Sequence, residues 1–182
     1  MTTLDKLVKW LDLLATLTGR FTGWFASLMV LVTCYIVVTR YVFDIGSVAV
    51  QELAIYFNAM LFTLGAAYTL KEDAHVRVDI FYGPASVRTR AMVNIAGVVL
   101  LLLPVCAFLG WVCFDYVAAS WAIHEKSGDT GGLAIVYLLK SLMLVMPALL
   151  AVQGVSEGLR SLQIVLDPDQ ARSLPVHEEH AL

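Results

Sequence analysis

The chain has 182 residues, of which 59% are apolar and 15% charged, with a formal net charge of −3. With Tyr left out and Gly counted, the apolar share is about 62%, against about 45–50% in an ordinary soluble domain. About a third of the unfolded chain's area stays exposed in a globule of this size, so composition argues against a soluble enzyme. The acidic balance argues against a nucleic-acid partner.

Residues 1–19 read as an amphipathic helix. Leu4, Leu7, Val8, Leu11, Leu14 and Ala15 recur at helical spacing, with Asp5, Lys9, Asp12 and Thr16 on the other face. No small-x-small cleavage site follows a short apolar core, so this is not a signal peptide pattern. The expectation is a helix on the membrane surface, or docked on another subunit, before the chain turns inward at Arg20.

Four charge-free runs follow: 19 residues between Arg20 and Arg40, 18 between Glu52 and Lys71, 24 between Arg90 and Asp115, and 16 between Lys140 and Glu157. A helix needs about 20 apolar residues to cross ~30 Å of hydrocarbon. The first three runs meet that length, and the fourth does so if Lys140 snorkels and its helix starts near Leu133. The expected fold is an all-α membrane protein with spans at about 20–43, 48–70, 85–123 and 133–163, inside a domain of residues 20–166. Asp44-Ile45-Gly46-Ser47 is a short turn, making the first two spans antiparallel neighbours. Between the second and third spans, apolar and polar residues alternate from His75, which suggests an extended segment, and Gly83-Pro84 marks a helix start. The third span is long enough that it must tilt, kink near Pro104 or project. Ser127–Gly132 is dense in turn formers, and residues 167–182, with Pro168 and Pro175, read as a disordered tail.

Nine of the 12 Lys and Arg residues lie at the N-terminal arm, the middle loop and the C-terminal end. Arg40, Lys126 and Lys140 lie on the other side. The positive-inside rule places both termini in the cytoplasm.

Little catalytic chemistry is visible. Cys34, Cys106 and Cys113 sit inside apolar runs without a CxxC pair and read as packers. His75 and His124 are expected on opposite sides, and His177-x-x-His180 lacks the pattern of a zinc helix. No Ser-His-acid set, phosphate loop or nucleotide fingerprint is present, so the reading is no enzyme, no metal and no cofactor. Arg40, Glu52, Asp115 and Lys140 fall in one layer near the outer face. Charges near hydrocarbon need partners, so these four read as a polar network within the bundle or at a subunit contact rather than an ion site. Small-residue ridges at Gly19-Gly23-Ser27, Ala59-Thr63-Ala67 and Gly154-Gly158 read as helix-packing positions, with Asn58 and Gln153 as cross-helix hydrogen-bonding groups.

Arg40-Tyr41-Val42-Phe43 is followed by Glu52-Leu53, Gly65-Ala66-Ala67 and His75-Val76-Arg77-Val78-Asp79. Ser120-Trp121, Glu125-Lys126-Ser127, Gly131-Gly132, Leu139-Lys140, Met146-Pro147 and Gln153-Gly154 continue the series. This ordered set, over roughly residues 20–165, resembles the small membrane subunit of the tripartite ATP-independent periplasmic (TRAP) transporters. Two departures are Val50-Gln51 before Glu52, where many members carry paired acids and an aromatic, and Glu72-Asp73-Ala74 where glycines are frequent. The resemblance implies a scaffold subunit in the bacterial inner membrane. Its partners would be a large membrane subunit carrying the substrate and sodium sites and a periplasmic protein that binds an organic anion, often a carboxylate. Two other classes fit a small helical chain: a membrane anchor of a quinone-linked oxidoreductase, and an autonomous exporter coupled through Glu52.

Overall fold

The computed structural model describes residues 3–75 and 85–166, with side chains from residue 8 onward. The expected extended segment with Arg77 and Asp79, the Gly83-Pro84 turn, and the tail with His177 and His180 lie outside the described residues. The described chain is all-α, without strands, and has four helices long and apolar enough to cross a membrane. They are α1 (Thr3–Val42), α2 (Val48–Lys71), α3 (Val87–Ala122) and α4 (Val136–Leu166).

The first helix differs from expectation. Thr3–Val42 is one helix of 40 residues, without a turn at Arg20. At 1.5 Å per residue it runs ~60 Å. Nothing in its sequence breaks it: there is no proline, and its internal hydroxyls serve the helix itself. Thr16, Thr18, Thr22, Ser27, Thr33 and Thr39 all donate to carbonyls three or four residues back, a pattern that suits an apolar surround with no water to bond.

Helix α3 passes Pro104 without breaking. Proline lacks an N–H and crowds the carbonyl four residues back, here Leu100. A π turn over Val98–Leu102 widens the helix at that point, with Leu103 N–H donating to Val98 O. An α segment, Val87–Gly97, precedes the turn, and another, Leu103–Ala122, follows it.

Three helix ends close through a left-handed residue. Asp44, Asp73 and His124 adopt φ of 54°, 55° and 46°. At two of them the next N–H reaches back five residues, Ala74 to Thr69 O and Glu125 to Ser120 O; at the first, Ile45 reaches back six, to Thr39 O. The five-residue bond is the Schellman closure, with Asp73 and His124 at the left-handed position that glycine favours.

The helices form a row in the order α1, α2, α4, α3, with no substantial contact from α3 to α1 or α2 among the described residues. The first half of α1 also reaches α4. Buried residues recur at seven-residue spacing, as in Val8, Ala15 and Thr22 on α1 and Tyr56 and Thr63 on α2. That is the seam of helices crossing at a shallow angle. Phe25 and Phe57 stack across α1 and α2 with ring centroids 6.1 Å apart.

The glycine ridges divide on inspection. A Cβ on Gly19 would strike the Tyr68 ring, and one on Gly154 would strike Leu102, whereas Gly23 faces open space. Gly158 and Gly65 have room for ordinary contacts with Val98 and Thr22. Gly19→Ala is therefore expected to destabilise by about 1–3 kcal/mol through overpacking. Gly23→Ala should stabilise by up to about 1 kcal/mol through helix propensity. Thermal melts of the purified variants in detergent check the opposite signs.

Candidate functional site: the stitched ends of the helix row

Two polar clusters occupy opposite ends of the row. At one end, the 123–135 connection between α3 and α4 folds back on itself. Ser127 N–H donates to Leu133 O at 2.9 Å, Gly132 N–H to Asp129 O at 3.0 Å, and Val136 N–H to Glu125 O at 3.1 Å. Glu52, one turn into α2, clamps this loop: one carboxylate oxygen accepts from the Ser127 hydroxyl and the other from Leu133 N–H at 2.6 Å. Gly131 has φ of 84°, and a Cβ on Gly132 would meet Ser127 and would lie 2.7 Å from Glu52 Oε1. Glycine is needed at the first for its conformation and at the second for close approach.

Beside the clamp, Lys140 Nζ lies 2.5 Å from Glu125 Oε2 and 4.0 Å from the centre of the Tyr116 ring. The Lys140 hydrogen bond holds the Glu125 carboxyl below its ordinary range. Trp121 Nε1 donates to Ser141 Oγ at 2.8 Å, and the Trp121 ring packs edge-on to Tyr137.

At the other end, Asp12 of α1 binds three groups of α4. Asp12 Oδ1 accepts from Gln153 Nε2 at 3.1 Å and Ser156 Oγ at 2.7 Å, and Oδ2 accepts from Arg160 at 2.5 Å. Gln153 and Ser156 are fully buried. A carboxylate with charge-assisted bonds on both oxygens is the form in which a buried acid is tolerated.

The four residues of the expected polar layer therefore do not come together as one network. Glu52 and Lys140 take separate partners, while Arg40 and Asp115 are exposed with no ion pair among the described residues. Tyr41 is exposed, Leu53 half-buried, and His75 exposed at the far end of α2. Gln153 bonds across helices as expected; Asn58 is exposed. Among the cysteines, Cys106 is buried and Cys34 exposed. No three His, Cys, Asp or Glu side chains gather as a metal site among the described residues.

Sequence reasoning missed Asp12, Glu125 and Ser127 as partners. The signal for Asp12 was the polar stripe of Gln153, Ser156 and Arg160 at three- and four-residue steps on an otherwise apolar α4. For Glu52 there was no such signal, because half of its clamp is a backbone N–H.

Two outcomes follow from the clamp. Glu52→Ala should speed hydrogen exchange at the Leu133 amide by roughly an order of magnitude, since that N–H loses its charged acceptor. Amides in the middle of α4 should be unaffected. Separately, a depressed carboxyl favours the folded state above its unfolded pKa, and that contribution is lost as pH falls through the lower folded value. The Glu125–Lys140 contribution should thus be complete above about pH 4.5. Melting temperatures on the acid side should decline less in Glu125→Gln than in the parent chain.

Residues 29–164 match the family described as tripartite ATP-independent periplasmic transporters, DctQ component. No curated protein and no solved structure gives a match. The matched stretch takes in the Glu52 clamp, the Glu125–Lys140 pair and the α4 half of the Asp12 cluster. It covers most of the chain, which therefore belongs to the DctQ family of TRAP transporter components and is a transport subunit rather than an enzyme.

Proposed function

We propose that this chain is a scaffold subunit of a TRAP transporter in the bacterial inner membrane and forms no transport pathway of its own. On this reading it packs beside a large membrane subunit that carries an organic anion, such as a carboxylate, together with sodium. A periplasmic protein delivers that substrate. Both termini lie in the cytoplasm, as the distribution of Lys and Arg implies, so the Asp12 end faces the cytoplasm and the Glu52 loop the periplasm.

One observation carries the reading: the helices stand in a single row, α1, α2, α4, α3, rather than around a common interior. A pathway for a hydrated anion needs polar groups around an enclosed space. Buried Gln153 and Ser156 of α4 instead stitch helices together by donating to Asp12 of α1. Arg40 and Asp115, exposed on the two edge helices, are among the charges left for a partner or for lipid headgroups.

The same geometry weighs against the competing classes. His75 and His124 close α2 and α3 at opposite ends of the row, too far apart to hold one haem. Both oxygens of Glu52 are occupied by the loop, which favours a structural role over ion coupling.

Affinity purification from native membranes should recover a large polytopic subunit in about equal amount, and its reproducible absence would count against the proposal. The purified chain alone in liposomes should transport nothing. Glu52→Ala should lower the amount of assembled complex while leaving ion dependence per complex unchanged. Normal assembly with lost ion dependence would instead make Glu52 a coupling site.

A further inference from the structure

The first half of α1 is rolled away from the expectation for a surface helix: Val8 and Ala15 of the expected apolar face turn inward beside Asp12, while Leu14 faces out. Its inward face carries Val8, Asp12, Ala15, Gly19 and Thr22, with Asp12 bonded to α4 and Gly19 against Tyr68. Its outward face carries Trp10, Leu13, Leu14, Leu17, Phe21 and Trp24, each between 44% and 71% exposed. At 3.6 residues per turn these six fall within an arc of about 100°, diametrically opposite the Asp12 face. Rotation about the helix axis is blocked, because it would pull Asp12 from Gln153, Ser156 and Arg160.

Several features indicate what covers this stripe. The helix is continuous, so the stripe extends outward from the membrane-crossing run after Arg20, to which Phe21 and Trp24 belong. Trp10 stands at its outer end, and the indole ring, with an apolar body and one N–H, settles at the headgroup level. Exposed Lys9 and Arg20 flank one edge of the stripe, three turns apart and on the same side. A cationic border on an apolar helical stripe complements an anionic lipid surface.

We propose that the outer part of the stripe, Trp10 to Leu17, lies in the headgroup–acyl boundary of the leaflet at the Asp12 end, with Lys9 and Arg20 holding anionic headgroups and Phe21 and Trp24 in the hydrocarbon. A continuous 40-residue helix meets that condition when α1 is tilted by about 40°, with this face turned toward the bilayer. The Asp12 cluster sets the roll angle of the helix and α4 covers its other side. The inference does not depend on which leaflet is cytoplasmic, nor on the transporter's substrate.

The test is depth-dependent quenching of Trp10 in nanodiscs of phosphatidylcholine and phosphatidylglycerol at 3:1. A chain with Trp24→Phe, Trp111→Phe and Trp121→Phe isolates Trp10. Because Trp121 is hydrogen-bonded to Ser141, the difference between the parent chain and Trp10→Phe gives the same quantity without disturbing that contact. Quenching by lipid labelled at acyl carbon 5 should exceed quenching by lipid labelled at carbon 12, and should persist with the large subunit bound. Labelled phosphatidylglycerol should quench more than labelled phosphatidylcholine, by up to about fivefold for each cation. Lys9→Gln with Arg20→Gln should remove that preference. Trp10 beyond the reach of both labels, or quenching abolished by the large subunit, would overturn the proposal; the latter would make the stripe a protein interface. Equal quenching by the two headgroups in the parent chain would remove the role given to Lys9 and Arg20.

Discussion

Apolar helices in hydrocarbon gain nothing by burying apolar surface against each other, because lipid tails serve as well. Contacts that keep such helices together must be very close or polar. This chain meets the constraint with two antiparallel hairpins, α1 with α2 and α3 with α4, and one carboxylate joining them at each end. Asp12 reaches from α1 to Gln153, Ser156 and Arg160 of α4. Glu52 reaches from α2 to Ser127 and Leu133, just before α4 begins. Within each hairpin small residues allow close approach, with Gly19 of α1 against Tyr68 of α2 and Gly154 of α4 against Leu102 of α3. Placing the pins at opposite ends fixes both the offset of the hairpins and the angle between them, which a single pin would leave free.

The π turn in α3 fits the same scheme. Pro104 would kink an ordinary helix away from its neighbour. Widening the turn over Val98–Leu102 instead keeps Val98 and Leu102 toward Gly154 and Gly158. The stripe of α3 that faces α4 thus passes the proline with one extra residue, from Val98 to Cys106, and continues to Val117.

The spans were legible because length and absence of charge are one-dimensional properties, and 30 Å of hydrocarbon reads them directly. The continuity of α1 was not. Arg20 looked like a boundary because an amphipathic pattern gives way there to a charge-free run, yet α1 continues past it. The roll of its first half was misread for a related reason. Sorting Leu7, Leu11 and Leu14 against Asp5, Asp12 and Thr16 assumes water on the polar side. Asp12 instead finds its hydrogen bonds inside the protein, so it turns in together with Val8 and Ala15 of the expected apolar face, while Leu14 turns out. The outer layer shows the limit of charge sorting as well. Glu52 and Lys140 were recognisable as groups that need partners, but those partners include a hydroxyl, a backbone N–H and an aromatic face, none of which carries a sign.

The row leaves its two inner helices and its two edges in different chemical situations. On α2, only Ile55, Asn58 and Phe62 are exposed, because α1 and α4 cover its flanks. On α3, residues such as Leu100, Phe108, Trp111 and Phe114 are 60% or more exposed, and that helix has one substantial neighbour. A solvent-filled route needs polar groups aimed into a shared interior, whereas here buried Gln153 and Ser156 turn to Asp12 within the row and many large apolar residues turn outward. What remains on the outside is lipid-compatible surface interrupted by charges, among them Arg40 on one edge helix and Asp115 on the other. Each isolated charge near hydrocarbon costs at least ~2.5 kcal/mol at the centre of a bilayer and less toward its surface. A chain working alone would have every reason to pair such groups internally, as it does with Asp12 and Lys140. Their exposure fits the scaffold role proposed above, in which this surface meets lipid headgroups and a neighbouring subunit.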